Sequence, residues 1–187
     1  MSVDTICAWA MNHPLEREYH DAEWGVPVYD DTVLFEFITL EGAQAGLSWI
    51  TILKKREGYR AAFEQYNLLR LAQYDETRVE YVIDNFDVVK HRGKIASVYG
   101  NARAALALIE EYGSLSSALW QFVDGEPIVN RWTQMSDVPV STEQSKAMSK
   151  FLKKKGFKFV GETICYAFMQ AVGMVDDHLV GCPKKRN

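Results

Sequence analysis

The segment from Ser149 to Cys182 constrains this chain most. A lysine-rich stretch runs into a short turn bounded by Gly156 and Gly161, a nearly all-apolar stretch follows, and the segment ends in His178-x3-Cys182. Two helices joined by a glycine-bounded turn can point successive backbone N–H groups outward, which makes an anion site. Lysines around such a turn strengthen its hold on a phosphate chain. Residues 146–158 contain six lysines and no acid, while Ala147, Met148, Phe151 and Leu152 form the opposite face. Taken alone, a lysine face is as readily a solvated surface. The abrupt turn and a second basic group, Lys90, His91, Arg92 and Lys94, bring the DNA-binding reading level with it.

The rest of the chain reads as helices, and no alternating strand pattern of any length is visible, so the expected class is all-α in a single domain spanning 1–187. Pro14 opens a helix predicted over about 15–23, and Asp30 or Asp31 caps one over about 32–43. Gly42 and Gly46 break the pattern, and Ser48 caps a helix that begins at Trp49 and ends in Lys54, Lys55 and Arg56. Further helices are expected at about 57–65, 76–84, 92–112 and 115–123, with a loop over 124–140 and a capping box at Ser141-Thr-Glu-Gln144. The basic group at 90–94 sits at the wrong end of its helix dipole, consistent with an anion partner there.

The net charge of −4 argues against a nonspecific nucleic-acid coat but permits a localised basic face. Three cysteines without disulfide-like spacing suit a reducing compartment. No signal peptide or membrane-spanning run is visible, so a cytoplasmic monomer without membrane contact is expected.

Two constellations carry chemistry. Cys7-x12-His20 lies near one end and His178-x3-Cys182 near the other. Two thiolates and two imidazoles make a closed tetrahedral zinc set, structural because no position is left for a reacting water. The plain alternative is two small terminal hydrophobes and two surface histidines. The second constellation is Glu41, which continues the apolar stripe Leu34, Phe37, Ile38. A carboxylate there is either a salt-bridged core residue or, with flat aromatics such as Tyr19 and Trp49, part of a pocket for a planar, electron-poor ring.

The chain resembles the 3-methyladenine-DNA glycosylase I family of the helix-hairpin-helix superfamily. The resemblance is carried by Tyr19-His-Asp-x-Glu-Trp-Gly25, Leu40-Glu-Gly-x-Gln-Ala-Gly-Leu-Ser-Trp-Ile-Thr-x-Leu-Lys-Lys-Arg56, His91-Arg-Gly-Lys94 with Gly100-Asn-Ala-Arg103, Lys155-Gly-Phe-Lys-Phe-Val-Gly161, Ile164-Cys-Tyr-x-Phe-Met-Gln-Ala171 and Asp177-His-x-Val-Gly-Cys182. It implies a monofunctional glycosylase that releases 3-methyladenine from double-stranded alkylated DNA. By the same resemblance Cys7, His20, His178 and Cys182 hold one structural zinc that joins the termini. Glu41 is the pocket carboxylate, Tyr19 and Trp49 line the pocket with Trp9 and Trp24 near it, and Gly156, Phe157, Lys158, Phe159, Val160 and Gly161 form the hairpin on the DNA backbone. Family members often carry an aromatic where this chain has Glu16. The wider superfamily keeps a catalytic Asp in a stretch like Val175-Asp-Asp-His178, but the resembled family does not depend on it, so Asp176 ranks behind Glu41 as a candidate acid. Lyase-active relatives carry a lysine at the position of Thr163. The rival reading is a zinc-stabilised DNA-binding module without catalysis.

Overall fold

The computed structural model describes residues 6–186. Nine α-helices account for most of them: α1 Pro14–Ala22, α2 Asp31–Gln44, α3 Trp49–Ala62, α4 Leu68–Leu71, α5 Val79–Asn85, α6 Arg92–Tyr112, α7 Leu115–Trp120, α8 Glu143–Lys154 and α9 Glu162–Ala171. Short 3-10 turns lead into or out of several of them, including Ala8–Met11 before α1.

Helix α2 is the axis of the molecule. Every residue from Leu34 to Ala43 is buried, and α3, α6, α7 and α9 all pack on it. Asp30 caps it by accepting from the Val33 N–H at 2.9 Å, as expected. Asp31 instead reaches the first turn of α7, accepting from Leu115 and Ser116 N–H at 3.1 and 2.8 Å. One acidic pair therefore supplies negative charge to two helix N-termini. The buried apolar residues form one contiguous cluster around α2.

The structure departs from the sequence expectations in several places. Helix α2 runs from Asp31 to Gln44, one residue beyond the expected span at each end, and Gly42 does not interrupt it. The segments 49–56 and 57–62 are one helix, since Arg56 and Arg60 lie on its inner face and pair with Glu36 at 2.8 Å each. Arg56 also lies over the Phe37 ring, 5.1 Å from its centroid. A lysine and arginine cluster marked the helix end in the sequence, but here the arginines are structural. The cap of α8 is Thr142 paired reciprocally with Ser145, not with Gln144. The loop 124–140 carries Ile128–Val129, which pairs in parallel with Val175–Asp176, so the fold is mainly helical with one two-residue ladder. Strands this short leave no periodicity to read. No helix among the described residues is long and apolar enough to cross a membrane.

Candidate active site

Helix α1 shows its buried face at Glu16, Tyr19 and His20. The same side of the molecule opens into a cleft of about 260 Å³. Trp9, Glu16, Tyr19 and Trp24 form one side of it, Glu41, Gln44 and Trp49 another, and Met135, Ala167 and Gln170 complete it. At the small end of ligand-pocket volumes, this space suits one ring system. The rings are tilted against each other: Tyr19 lies 5.3 Å from Trp49 and 6.2 Å from Trp9, and Trp9 meets Trp24 edge-on at 5.1 Å. All four aromatics expected from the sequence come together here.

Glu41 is only 4% exposed, and burial alone pushes its carboxyl up to about 8. Its Oε2 has no hydrogen-bond partner among the described residues, nor does the indole Nε1 of Trp49. Glu36 on the same helix shows how this fold treats a buried acid it means to neutralise, for it is gripped by two arginines. Leaving a polar group without a partner in a dry site costs on the order of 1–3 kcal/mol, more for a charge. An orphaned acceptor and an orphaned donor at one cleft describe a site built for something that arrives. A second hollow of about 250 Å³ shares Glu41, Gln44 and Ala167, and runs between Ala45–Leu47 and the first turn of α9.

The hairpin between α8 and α9 sits beside that hollow. Gly156 has φ +96° and Phe159 φ +57°, an uncommon angle for an aromatic residue. Phe157 and Val160 are buried anchors, whereas Lys158 is exposed. Asn101 on α6 locks the turn, accepting from Lys158 N–H at 2.9 Å and donating to its carbonyl at 3.1 Å. Among the described residues, the N–H groups of Phe159, Val160 and Gly161 have no protein acceptor, and α9 has no side-chain cap. Of the six expected hairpin residues, two therefore hold it in place while the turn backbone stays open. Gly42 explains its own place inside α2: a Cβ there would come within 3.2 Å of the Phe159 carbonyl oxygen. The hairpin thus docks one residue away from Glu41.

Three members of the second basic group have contacts within the chain. Lys94 donates to the carbonyls of Ala43 and Ala45 at 3.0 and 2.7 Å, closing the C-terminus of α2. Arg92 pairs with Glu80, and His91 caps α6 through Lys94 N–H at 3.1 Å. Of the lysines on α8 and its turn, Lys146 and Lys155 are paired with Glu143 and Glu111.

Three of the four candidate metal ligands meet, and the fourth lies beside them. Ligand atoms of Cys7, His20 and Cys182 all lie within 4.8 Å of one another, with Cys182 Sγ 3.6 Å from His20 Nε2. The His178 ring stands 4.7 Å from that of His20, and its buried Nε2 has no partner. Each histidine Nδ1 contacts a carboxylate: His20 to Asp21 at 2.8 Å and His178 to Asp176 at 2.9 Å. For His20 that arrangement leaves Nε2 facing the Cys182 thiol, as outer carboxylates do around metal-bound imidazoles. Burial and the facing Cys182 sulfur push the Cys7 thiol up to about 11, a pressure that a cation between them would relieve. Cys7, His20 and Cys182 fit a metal's ligand set, with the His178 ring beside them.

Gly25 makes room for this cluster, since a Cβ there would lie 3.0 Å from the His178 ring. Its φ of +77° also suits glycine best. Trp24 touches His178 edge-on at 4.7 Å, so the cluster backs directly onto the cleft wall. Asp176, the second candidate acid, is fully buried and spent on this cluster: it accepts from His178 and Arg186 backbone N–H at 3.0 and 2.9 Å besides the His178 ring. Lys185 lies 3.5 Å from it as well, and Asp176 is not among the residues lining the cleft.

Sequence reasoning missed several lining residues. Gln170 is held by Asp177, which also accepts from Tyr166, Asn130 and Trp132. A polar pair at 170 and 177, within an otherwise apolar stretch, was the available signal. Met135 comes from the loop with no periodicity and had none. A larger groove of about 380 Å³ lies over Gly93, Ala96 and Gly100 of α6 beside the hairpin. Its main polar side chains are already engaged, Asn101 by Lys158 and Arg103 by the carbonyls of Ala72 and Tyr74.

The "Methyladenine glycosylase" family model matches residues 9–185. Over 94% of each chain, the protein is 52% identical to DNA-3-methyladenine glycosylase 1 of Escherichia coli K12. It is 48% identical to DNA-3-methyladenine glycosylase of Haemophilus influenzae, across 97% of this chain and 98% of that one. Among solved structures, the 3-methyladenine DNA glycosylase I of Staphylococcus aureus superposes with a TM-score of 0.94 at 36% identity, covering 98% of both chains. With the family model matched over residues 9–185 and about half the residues shared with a curated relative, the chain belongs to the methyladenine glycosylase family.

Proposed function

We propose that the protein is a monofunctional DNA glycosylase that hydrolytically releases 3-methyladenine from double-stranded alkylated DNA, leaving an abasic site. The observation that carries this reading is the Glu41 carboxyl, dry and unpartnered in a cleft of aromatic faces. Methylation at N3 leaves the adenine cationic while it is still joined to the sugar. A cationic ring stacks favourably on Tyr19 and Trp49, and its exocyclic amine supplies the donor that Glu41 Oε2 lacks. The nucleotide has to leave the duplex to reach the cleft, which costs a few kcal/mol and less for a damaged base. The bond to C1′ then breaks with its electron pair going to the base, which departs neutral. Water adds at C1′ and gives up a proton to solvent. Glu41, ionised beside the cation, stabilises positive charge as it moves to the sugar. Thr163 supplies no amine for a covalent step.

The hairpin is read as the grip on the DNA backbone, with the N–H groups of Phe159, Val160 and Gly161 free to meet phosphate oxygens. Lys158→Ala is expected to weaken duplex binding and to lower the slope of log K against log salt by about 1. Affinity for the free base, measured by tryptophan fluorescence, stays unchanged. An unaltered salt slope removes Lys158 from the DNA contact.

Cys7, His20, His178 and Cys182 are read as a structural zinc site. Zinc there supplies a cross-link between the two ends of the chain and takes no part in turnover. A non-catalytic DNA-binding module would account for the hairpin and the metal set, but it leaves Glu41 orphaned at the cleft for no purpose. The two readings separate when methylated DNA is incubated with the protein and released bases are identified by chromatography. The glycosylase reading expects 3-methyladenine and an equal count of abasic sites; bound DNA with no released base overturns it.

A further inference from the structure

Glu16 is a second acid in the same cleft. It sits one helical turn before Tyr19 on the buried face of α1, lines the cleft, and is only 8% exposed. Among the described residues its carboxylate makes no ion pair or hydrogen bond, while three other acids on or near α1 are engaged. Asp21 is held by Arg17 and His20, Glu23 by Arg56, and Glu36 by Arg56 and Arg60. The nearest basic residue on its own helix, Arg17, turns away to Asp21 at 2.6 Å. A carboxylate on the cleft wall that no residue of the chain answers is placed to meet a cation entering the cleft. Glu41 lies on α2 and Glu16 on α1, so the two acids face the cleft from different helices.

We propose that Glu16 is a charge-selecting residue of the base cleft, favouring an N-alkylated purine while it is cationic and joined to DNA, and losing that attraction once the base is free and neutral. This rests on the glycosylase reading above. A carboxylate that stabilises charge on the base assists capture but gives nothing to the bond-breaking step, in which that charge leaves the base for the sugar. Its contribution belongs in kcat/KM rather than in the rate at saturation. After cleavage the same carboxylate faces an uncharged ring, which favours release of the product.

The test uses the full chain with Glu16→Gln, which keeps the shape and removes the charge, and Glu16→Asp, which keeps the charge. Three quantities are measured: kcat/KM on methylated duplex, the saturating single-turnover rate, and the Kd of neutral 3-methyladenine by tryptophan fluorescence. For Glu16→Gln we expect kcat/KM to fall at least about fivefold, with the other two within about twofold of the parent. Glu16→Asp recovers most of the loss. Parallel loss in the saturating rate, equal loss of neutral-base affinity, or no change in any of the three overturns the charge-selecting role. If the parent protein releases no base from methylated DNA, it is the glycosylase reading that fails, and the inference falls with it. A parent that turns over normally beside an unchanged Glu16→Gln variant defeats the inference alone.

Discussion

Glu41→Gln lowers single-turnover excision of 3-methyladenine at least about tenfold, while duplex affinity stays within about twofold. The amide keeps the shape and one acceptor but cannot carry the negative charge that faces the cationic base and then the sugar. The pH profile separates this role from packing. With its carboxyl raised to about 8, Glu41 is mostly protonated in the base-free protein at neutral pH. Only the ionised form complements a cation, so kcat/KM rises with pH through the neutral range and levels off above about 8. The glutamine variant has nothing to titrate there, and its profile is flat over that interval.

Stability moves the other way. Between the ordinary carboxylate value of 4.5 and about 8, the native state holds a proton that the unfolded chain has released. Native stability therefore falls as pH rises across that window, by on the order of 5 kcal/mol once it is crossed. Glutamine removes that penalty, so the variant melts at a higher temperature than the parent at pH 8 and shows a much smaller advantage at pH 5. A variant that is slower and more stable has lost a functional strain. One that is slower and less stable has lost a structural contact, and the account of Glu41 fails.

Loss of the metal set has the second large effect. Purified protein is expected to hold about one zinc per chain, and Cys182→Ala to lower unfolding free energy by more than about 4 kcal/mol. The effect is large because the four residues come from opposite ends of the sequence and back onto Trp24 and, through His20, onto α1. Excision then fails as the fold loosens, and tryptophan fluorescence changes with it. Full zinc occupancy in the parent, with turnover lost in the variant and no fall in stability, points instead to a metal that takes part in the reaction. Protein that carries no metal and tolerates the substitution leaves the cluster as plain packing.

Much of this site was legible in the residues. Glu41 announced itself as a carboxylate on an apolar helical stripe, and the glycine-bounded turn as a break between a lysine face and an apolar helix. Cys7, His20, His178 and Cys182 were visible as a donor set, although only their meeting in space gives the separation of the two pairs a meaning. What stayed hidden depends on contacts between distant segments. Lys94 looked like a phosphate contact, yet it closes α2 from another helix. Gly42 looked like a helix breaker and is instead the notch that seats Phe159. Asp176 looked reactive, but three hydrogen bonds tie it to the metal set and the C-terminal segment. Lys54, Lys55 and Arg56 resembled a helix end, although Arg56 pairs with Glu36 in the centre of the fold. Sequence pattern shows that a charge is present; only the fold shows which charges have been answered.

The central claim is that the cleft keeps one acid neutral until a cation enters. The most direct measurement is the titration of the Glu41 side-chain carboxyl carbon by NMR in the base-free protein, assigned by its loss in Glu41→Gln. The account predicts a midpoint near 8. A midpoint at the ordinary value of 4.5 would mean that water or a partner reaches the carboxylate, contradicting the dry, unanswered site on which the proposed function rests.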